Sequence, residues 1–174
     1  VEAARDMIRR GSRSFYTASR LFDPDTREKT WLLYAWCRRC DDLADGQDLG
    51  GNLVDPPEDQ AEAENRLQAI HVLTRRAFER QPTADPAFDG LGQLAMETGI
   101  TQDMADDVIA GFALDLAEWR PRTEADLLRY CYHVAGAVGV MMARVMGVPG
   151  NDGETLDRAC DQGIAFQLAN IARD

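Results

Sequence analysis

The stretch Tyr34-Ala-Trp-Cys-Arg38-Arg-Cys-Asp41-Asp42-Leu-Ala-Asp45 decides the fold. Tyr34, Arg38, Asp41 and Asp45 recur at i, i+4, i+7 and i+11. That spacing puts four side chains on one face of a 3.6-residue helix. Upstream, Asp23-Pro24 supplies an N-cap with proline at the first helical position, and downstream Gly46 ends the run. The pattern predicts a helix from Pro24 to near Gly46.

The rest of the chain reads the same way. A first helix is expected from about Ala3 to Leu21. After a Gly-, Asp- and Pro-rich loop from Gly46 to Pro57, a third runs from about Glu58 to Arg80, with apolar residues at Leu67, Ile70, Leu73 and Ala77. Shorter ones follow at Pro86 to Thr98 and Gln102 to Trp119. Thr123-Glu-Ala-Asp126 reads as a capping box opening a helix to about Met146. The last begins near Gly153 and is still running at Asp174. All seven prolines fall between these segments, where helix punctuation belongs. Ala and Leu supply 40 residues against 24 for Val, Ile and Thr, which favours helix over strand. The expected architecture is all-α, a packed helical bundle.

Charge and length narrow the function. The chain has 174 residues, 19 basic against 30 acidic, and a formal net charge of −11. Such a surface repels a phosphate backbone, so nucleic acid is excluded as a partner. Phosphate is still accessible to an acidic protein when divalent metals intervene. The longest run without a charged residue, Tyr130 to Ala143, is too short to cross a bilayer. Charged residues fill the first twenty positions, so no apolar signal segment reads there. Four cysteines in a chain this long fit a reducing cytoplasm.

The chemistry concentrates on two helices. Asp41 and Asp45 stand one turn apart, a spacing at which like charges destabilise a helix slightly. A hard cation between them removes the penalty, and Mg²⁺ prefers one or two carboxylates plus phosphate oxygens. Arg38 on the same face suits a phosphate. A solvated acidic helix end gives the same spacing, and on these residues alone both readings stand. On the last helix, Gln167, Asn170 and Asp174 form a polar stripe along an apolar helix and need partners. Those partners are either core side chains or a second metal–diphosphate face. Ala135, Gly136, Ala137 and Gly139 weaken their helix and imply close approach, either of another helix or of a ligand in an apolar cavity.

Weaker signals resolve to packing. Cys37-Arg-Arg-Cys40 has no second pair and reads as helix packing. Gly90-Leu-Gly92-Gln-Leu-Ala95 matches a relaxed dinucleotide fingerprint but follows no strand. His133 reads as a satisfied core histidine. A di-metal carboxylate bundle needs Glu three residues before histidine, and Gln68 and Tyr130 stand there instead.

The chain resembles the squalene/phytoene synthases, and among them the proteobacterial phytoene synthases. The matching stretches are Gly11-Ser-Arg-Ser-Phe15-Tyr-Thr-Ala-Ser-Arg-Leu-Phe22, Leu33 through Asp45, Tyr130 through Gly147, and Ala165-Phe-Gln-Leu-Ala-Asn-Ile-Ala-Arg-Asp174. The resemblance implies an isoprenoid (terpenoid) synthase-type all-α bundle around a central cavity. It implies head-to-head condensation of two geranylgeranyl diphosphates to phytoene through a cyclopropyl diphosphate, in carotenoid biosynthesis. The runner-up is squalene, dehydrosqualene or presqualene-diphosphate synthesis from farnesyl diphosphate, and a non-catalytic helical module is the rival outside the enzymes. By the same resemblance Asp41, Asp45 and Asp174 are metal ligands for Mg²⁺, with Mn²⁺ as the substitute and Asp42 beside them. No nucleotide cofactor is implied.

Ser12, Arg38 and Arg173 are implied to contact diphosphate, and Gln167 and Asn170 to hydrogen-bond around it. Tyr34, Phe15 and Tyr130 would border the reacting carbons, or be core aromatics. A prenyl diphosphate is the expected partner, and oligomeric state is left open. A cytoplasmic location with peripheral attachment to the inner membrane follows from the greasy substrate, although no obvious basic amphipathic helix supports it. Residues 1–174 are expected to be the N-terminal part of one synthase domain, incomplete at the C-terminus, because the family's second motif needs an aspartate four residues past Asp174. Such a segment alone is expected to bind metal-diphosphate weakly and not to turn over.

Overall fold

A computed structural model describes residues 1–49 and 59–173. Among them no strand forms, and the chain divides into two compact units, Val1–Thr98 and Gly99–Asp174.

The first unit contains α1 (Glu2–Gly11), α2 (Arg13–Ser19), α3 (Pro24–Asp45), α4 (Gln60–Phe78) and α5 (Pro86–Thr98). α3 is its centre and packs on the other four. It starts where the sequence says it should: the Asp23 carboxylate accepts hydrogen bonds from the amides of Asp25 (3.0 Å) and Thr26 (3.1 Å). Leu32, Trp36, Cys40 and Ala44 repeat every fourth residue and are buried. Trp36 is fully enclosed and its indole N–H donates to the Thr74 hydroxyl at 3.3 Å. Removing a ring of that kind from a core costs about 3–5 kcal/mol. Phe88, Leu91, Leu94, Ile70 and Ile8 complete this core. Gly90 and Gly92, whose dinucleotide-like spacing follows no strand in the sequence reading, lie inside α5.

The expected first helix, Ala3 to Leu21, is two. Ser12 breaks it with extended backbone (φ −154°, ψ 104°) and caps α2, its hydroxyl accepting from the Phe15 amide at 3.3 Å. The third helix begins one cap later than expected, with Asp59 accepting from the Glu62 amide at 2.9 Å. Residues 50–58, including most of the expected loop, lie outside the described residues.

The second unit contains α6 (Gln102–Leu116), α7 (Glu124–Cys131), a π-helical segment Tyr132–Gly136, α8 (Ala137–Val145) and α9 (Gly153–Arg173). α6 ends three residues before the expected Trp119, since Glu118 adopts φ 49°, which a helix cannot continue. The capping box at Thr123 forms in full: Asp126 N–H donates to the Thr123 hydroxyl (3.1 Å), and Thr123 N–H donates to the Asp126 carboxylate (3.0 Å). Ile109, Met141 and Cys131 are fully buried.

α9 crosses α8 with almost no gap. A Cβ on Gly139 would sit 2.4 Å from the Ala159 carbonyl oxygen, and one on Gly163 would sit 2.5 Å from that of Ala135. The small residues of this helix therefore admit a neighbouring backbone, the packing alternative rather than the ligand one. The expected polar stripe of α9 does not run through a core, because none of the described residues of α9 is buried.

Candidate functional site

The helical face read from the sequence exists. At about 100° per residue, the centre of the Tyr34–Arg38–Asp41–Asp45 face lies about 150° around α3 from the centre of the Leu32–Trp36–Cys40–Ala44 stripe. All four are half-buried. Packing of one stripe into the core thus aims the other out of it.

Within this face Arg38 does not stand apart for a phosphate. Its Nη1 donates to the Asp41 carboxylate as an ion pair, and the two side chains keep 24% and 36% of their surface. A half-exposed pair of this kind is worth no more than about 1 kcal/mol, so a divalent ion or a diphosphate can displace it. Burial works against the guanidinium charge. Asp41, with Tyr34 and Asp42, outweighs it, and the Arg38 pKa is raised. Among the described residues neither the buried Arg38 Nε nor the buried Tyr34 hydroxyl makes a well-formed hydrogen bond, although Tyr34 lies close enough to favour the Arg38 charge. Two orphaned polar atoms on the face that carries Asp41 and Asp45 are the kind of exception that calls for a polar ligand. The neighbouring arginine differs: Arg39 Nε donates to the Asp85 carboxylate at 2.7 Å and ties α3 to the segment before α5.

Asp42 points inward. It is 5% exposed and accepts from the Leu49 amide at 3.0 Å, anchoring the turn after α3. Of the three aspartates, Asp41 and Asp45 share the half-buried face, Asp41 in its ion pair with Arg38. Two carboxylates and no enclosing cage suit Mg²⁺, which keeps waters and phosphate oxygens in its shell. Among the described residues no group of three His, Cys, Asp or Glu side chains is arranged to hold a metal, and Asp174 lies outside the described residues.

Ser12 and Phe15 reach this region from α1–α2. Phe15 is 63% exposed and meets Tyr34 edge-on, ring centroids 6.3 Å apart at 70°. Gly11 is needed there, because a Cβ would lie 2.5 Å from the Tyr34 hydroxyl. The Ser12 hydroxyl also lies 3.3 Å from that of Ser14.

The cysteines between these groups are not reactive. Burial, with Asp41 second, pushes the Cys37 thiol up to about 12, and Cys40 is fully buried. His133 is satisfied as expected, its Nδ1–H donating to the Asp107 carbonyl at 2.8 Å.

In the second unit, Tyr130 is half-buried. It stacks on Trp119 (6.4 Å, 21°) and donates its hydroxyl to Asp115 at 2.8 Å. Burial first, and then the Asp115 carboxylate, push its pKa up to about 12. On α9, Gln167 is half-buried, while Asn170 and Arg173 are exposed.

Two features escaped the sequence reading. Arg9, Arg10 and Arg13 gather with Tyr16 and Thr17 around one concavity, although the chain is acidic overall. Their i, i+4 step from Arg9 to Arg13 was visible, but the helix break at Ser12 hid the shared face. Asp107 and Asp115 on α6 hold Tyr132 and Tyr130, a pairing across helices that spacing does not reveal.

Comparison with known proteins places these observations. A model of the squalene/phytoene synthase family matches residues 8–174. A phytoene synthase of Pseudescherichia vulneris is 51% identical over 174 residues, all of this chain and 55% of that protein. A 15-cis-phytoene synthase of Enterobacter agglomerans is 53% identical over 164 residues, 94% of this chain and 54% of that protein. The chain thus spans about half the length of these relatives. Among solved structures, a dehydrosqualene synthase in complex with a ligand superposes with a TM-score of 0.81 at 26% identity, over 99% of this chain and 56% of that one.

Proposed function

Because the chain belongs to the squalene/phytoene synthase family, we propose that the protein condenses two geranylgeranyl diphosphates head-to-head to phytoene. The observation that carries this is the α3 face of Tyr34, Arg38, Asp41 and Asp45, with its orphaned Tyr34 hydroxyl and Arg38 Nε. Identity of about half to proteins named phytoene synthases supports the C40 product over the C30 ones.

In this reading Asp41 and Asp45 hold Mg²⁺, or Mn²⁺ in its place, with Asp174 as a further ligand. When bound, the ion neutralises the leaving diphosphate and lowers the barrier to ionisation. Arg38 exchanges Asp41 for a diphosphate oxygen, and its Nε supplies a second donor in the planar fork that suits phosphate. Ser12 and Arg173 add donors, and the amides of Gln167 and Asn170 orient the head group. Phe15, Tyr34 and Tyr130 offer ring faces to the allylic cation, each worth about 0.5–2 kcal/mol. The second substrate's double bond attacks that cation, and loss of a proton from the adduct closes the ring to give the cyclopropyl diphosphate. Loss of its diphosphate, rearrangement and proton loss then give phytoene.

The protein works at the cytoplasmic face of the inner membrane, attached from one side. No described helix is long and apolar enough to cross a membrane. Arg9, Arg10 and Arg13, which share one concavity, would supply the basic contact to an anionic surface in this reading.

The test is direct. The full-length protein is incubated with geranylgeranyl or farnesyl diphosphate and Mg²⁺, and lipids are extracted. A C40 hydrocarbon from the former, abolished by EDTA and by Asp41→Ala or Asp45→Ala, is the expected result. No C40 product, or wild-type turnover in Asp41→Ala, overturns the assignment.

A further inference from the structure

The helix that starts at Thr123 does not run uniformly to Val145. Its five residues Tyr132–Gly136 are π-helical. A π turn holds one residue more than an α turn, so residues before it are rotated by about 100° relative to an uninterrupted α-helix. Tyr130 lies just before the insertion, and Gly139, which meets α9, lies just after it. The insertion therefore sets where Tyr130 points relative to the α8–α9 crossing.

Such insertions are rare and need outside support. Here the support comes from one residue of α6. The Asp107 carboxylate accepts the Tyr132 hydroxyl at 2.5 Å, and the Asp107 carbonyl accepts His133 Nδ1–H at 2.8 Å. Both donors belong to the first two residues of the π segment. α6 lies close against it: a Cβ on Gly111 would meet the Val134 side chain at 3.1 Å and the His133 backbone at 3.3 Å. Two turns beyond Asp107 the same helix presents Asp115 to the Tyr130 hydroxyl. α6 thus grips the start of the insertion with one carboxylate and the aromatic ring before it with another.

We propose that Asp107 is a positioning residue for Tyr130: by holding Tyr132 and His133 it keeps the π insertion in place and so fixes the direction of the Tyr130 ring. The inference rests on the reading that Tyr130 borders the reacting carbons. It gives a role to a carboxylate that neither metal nor diphosphate binding uses.

The experiment compares Asp107→Ala, Asp107→Asn, Tyr132→Phe and Tyr130→Leu in the full-length protein, well below each variant's Tm. Asp107→Ala is expected to lower kcat about tenfold or more, as a misplacement near 1 Å does. KM is expected to stay within about twofold of wild type, because the diphosphate contacts are untouched. Asp107→Asn keeps an acceptor for Tyr132 and should restore most of kcat. Tyr132→Phe should copy Asp107→Ala, and the double variant should be no worse than either. Where Asp107→Ala fails to fold, Tyr132→Phe decides alone, since it removes the same hydrogen bond and keeps the ring. Wild-type kcat in Asp107→Ala or Tyr132→Phe, with Tyr130→Leu impaired, overturns the inference and leaves the Tyr130 reading standing. Wild-type kcat in all four variants overturns both.

Discussion

Gly139→Ala tests the α8–α9 crossing. In an exposed helix this change stabilises by up to about 1 kcal/mol. Here the added Cβ would sit 2.4 Å from the Ala159 carbonyl oxygen and 3.2 Å from its carbon. An ordinary C···O approach is about 3.3–3.6 Å, so the shortfall is near 1 Å. The obstructing atom is backbone and cannot swing aside, so the two helices must part. Overpacking of this kind costs about 1–3 kcal/mol, which exceeds the propensity gain over most of its range. For a chain of this size each kcal/mol moves Tm by about 2–4 °C, so a fall of several degrees is expected by circular dichroism. Gly163→Ala should do the same from the other side, at 2.5 Å from Ala135. Both open the same crossing, so the double variant should lose less than the sum. Gly153→Ala is the control: nothing lies within 4 Å of its Cβ position, and its Tm should hold or rise slightly. A Gly139→Ala protein with Tm at or above wild type would refute the argument.

Three further outcomes follow from contacts already described. Thr74→Val removes the acceptor of the buried Trp36 indole at the same shape; a loss of about 1–3 kcal/mol should appear as a lower urea midpoint with unchanged slope. Tyr130 keeps its proton up to about pH 12, above its ordinary value near 10, so its contribution to stability is complete below pH 10 and fades as pH rises toward 12. The urea midpoint of Tyr130→Phe should therefore fall less than that of wild type between pH 9 and 11. Replacing Arg9, Arg10 and Arg13 by glutamine should abolish co-flotation with phosphatidylglycerol vesicles and leave binding to phosphatidylcholine vesicles unchanged; equal flotation of both proteins on the anionic vesicles would remove the membrane assignment.

What the sequence disclosed depended on how local the cause was. Asp23-Pro24 and Thr123–Asp126 announce helix starts because cap and amide are neighbours in the chain, and both behave as expected. Tyr34, Arg38, Asp41 and Asp45 share a face by helical geometry alone. The break at Ser12 was missed because apolar and basic periodicity runs through Gly11 without a proline to mark it. The π insertion was missed because one extra residue shifts a pattern by less than the scatter of the pattern itself. Asp42 looked equivalent to its neighbours, but its place two turns after the buried Ala35 turns it inward, where it accepts from the Leu49 amide. Asp115 and Asp107 could not be assigned to tyrosines on another helix until that helix was in place.

Ser12 carries a further consequence. Its oxygen already accepts the Phe15 amide that begins α2. A hydroxyl has one proton to give and two lone pairs to fill, so capping leaves the proton available to a phosphate oxygen. Donating that proton makes the oxygen a better acceptor, since hydrogen bonds in a chain polarise one another. In the proposed reading, local order and occupancy would then be linked through a single atom: a diphosphate bound at Ser12 would firm the first turn of α2, and a firm α2 would hold the hydroxyl for the next diphosphate. Loss of activity in Ser12→Ala would therefore mix a missing contact with a frayed helix, and Ser12→Gly, which starts a helix nearly as well without a hydroxyl, is the substitution that separates the two.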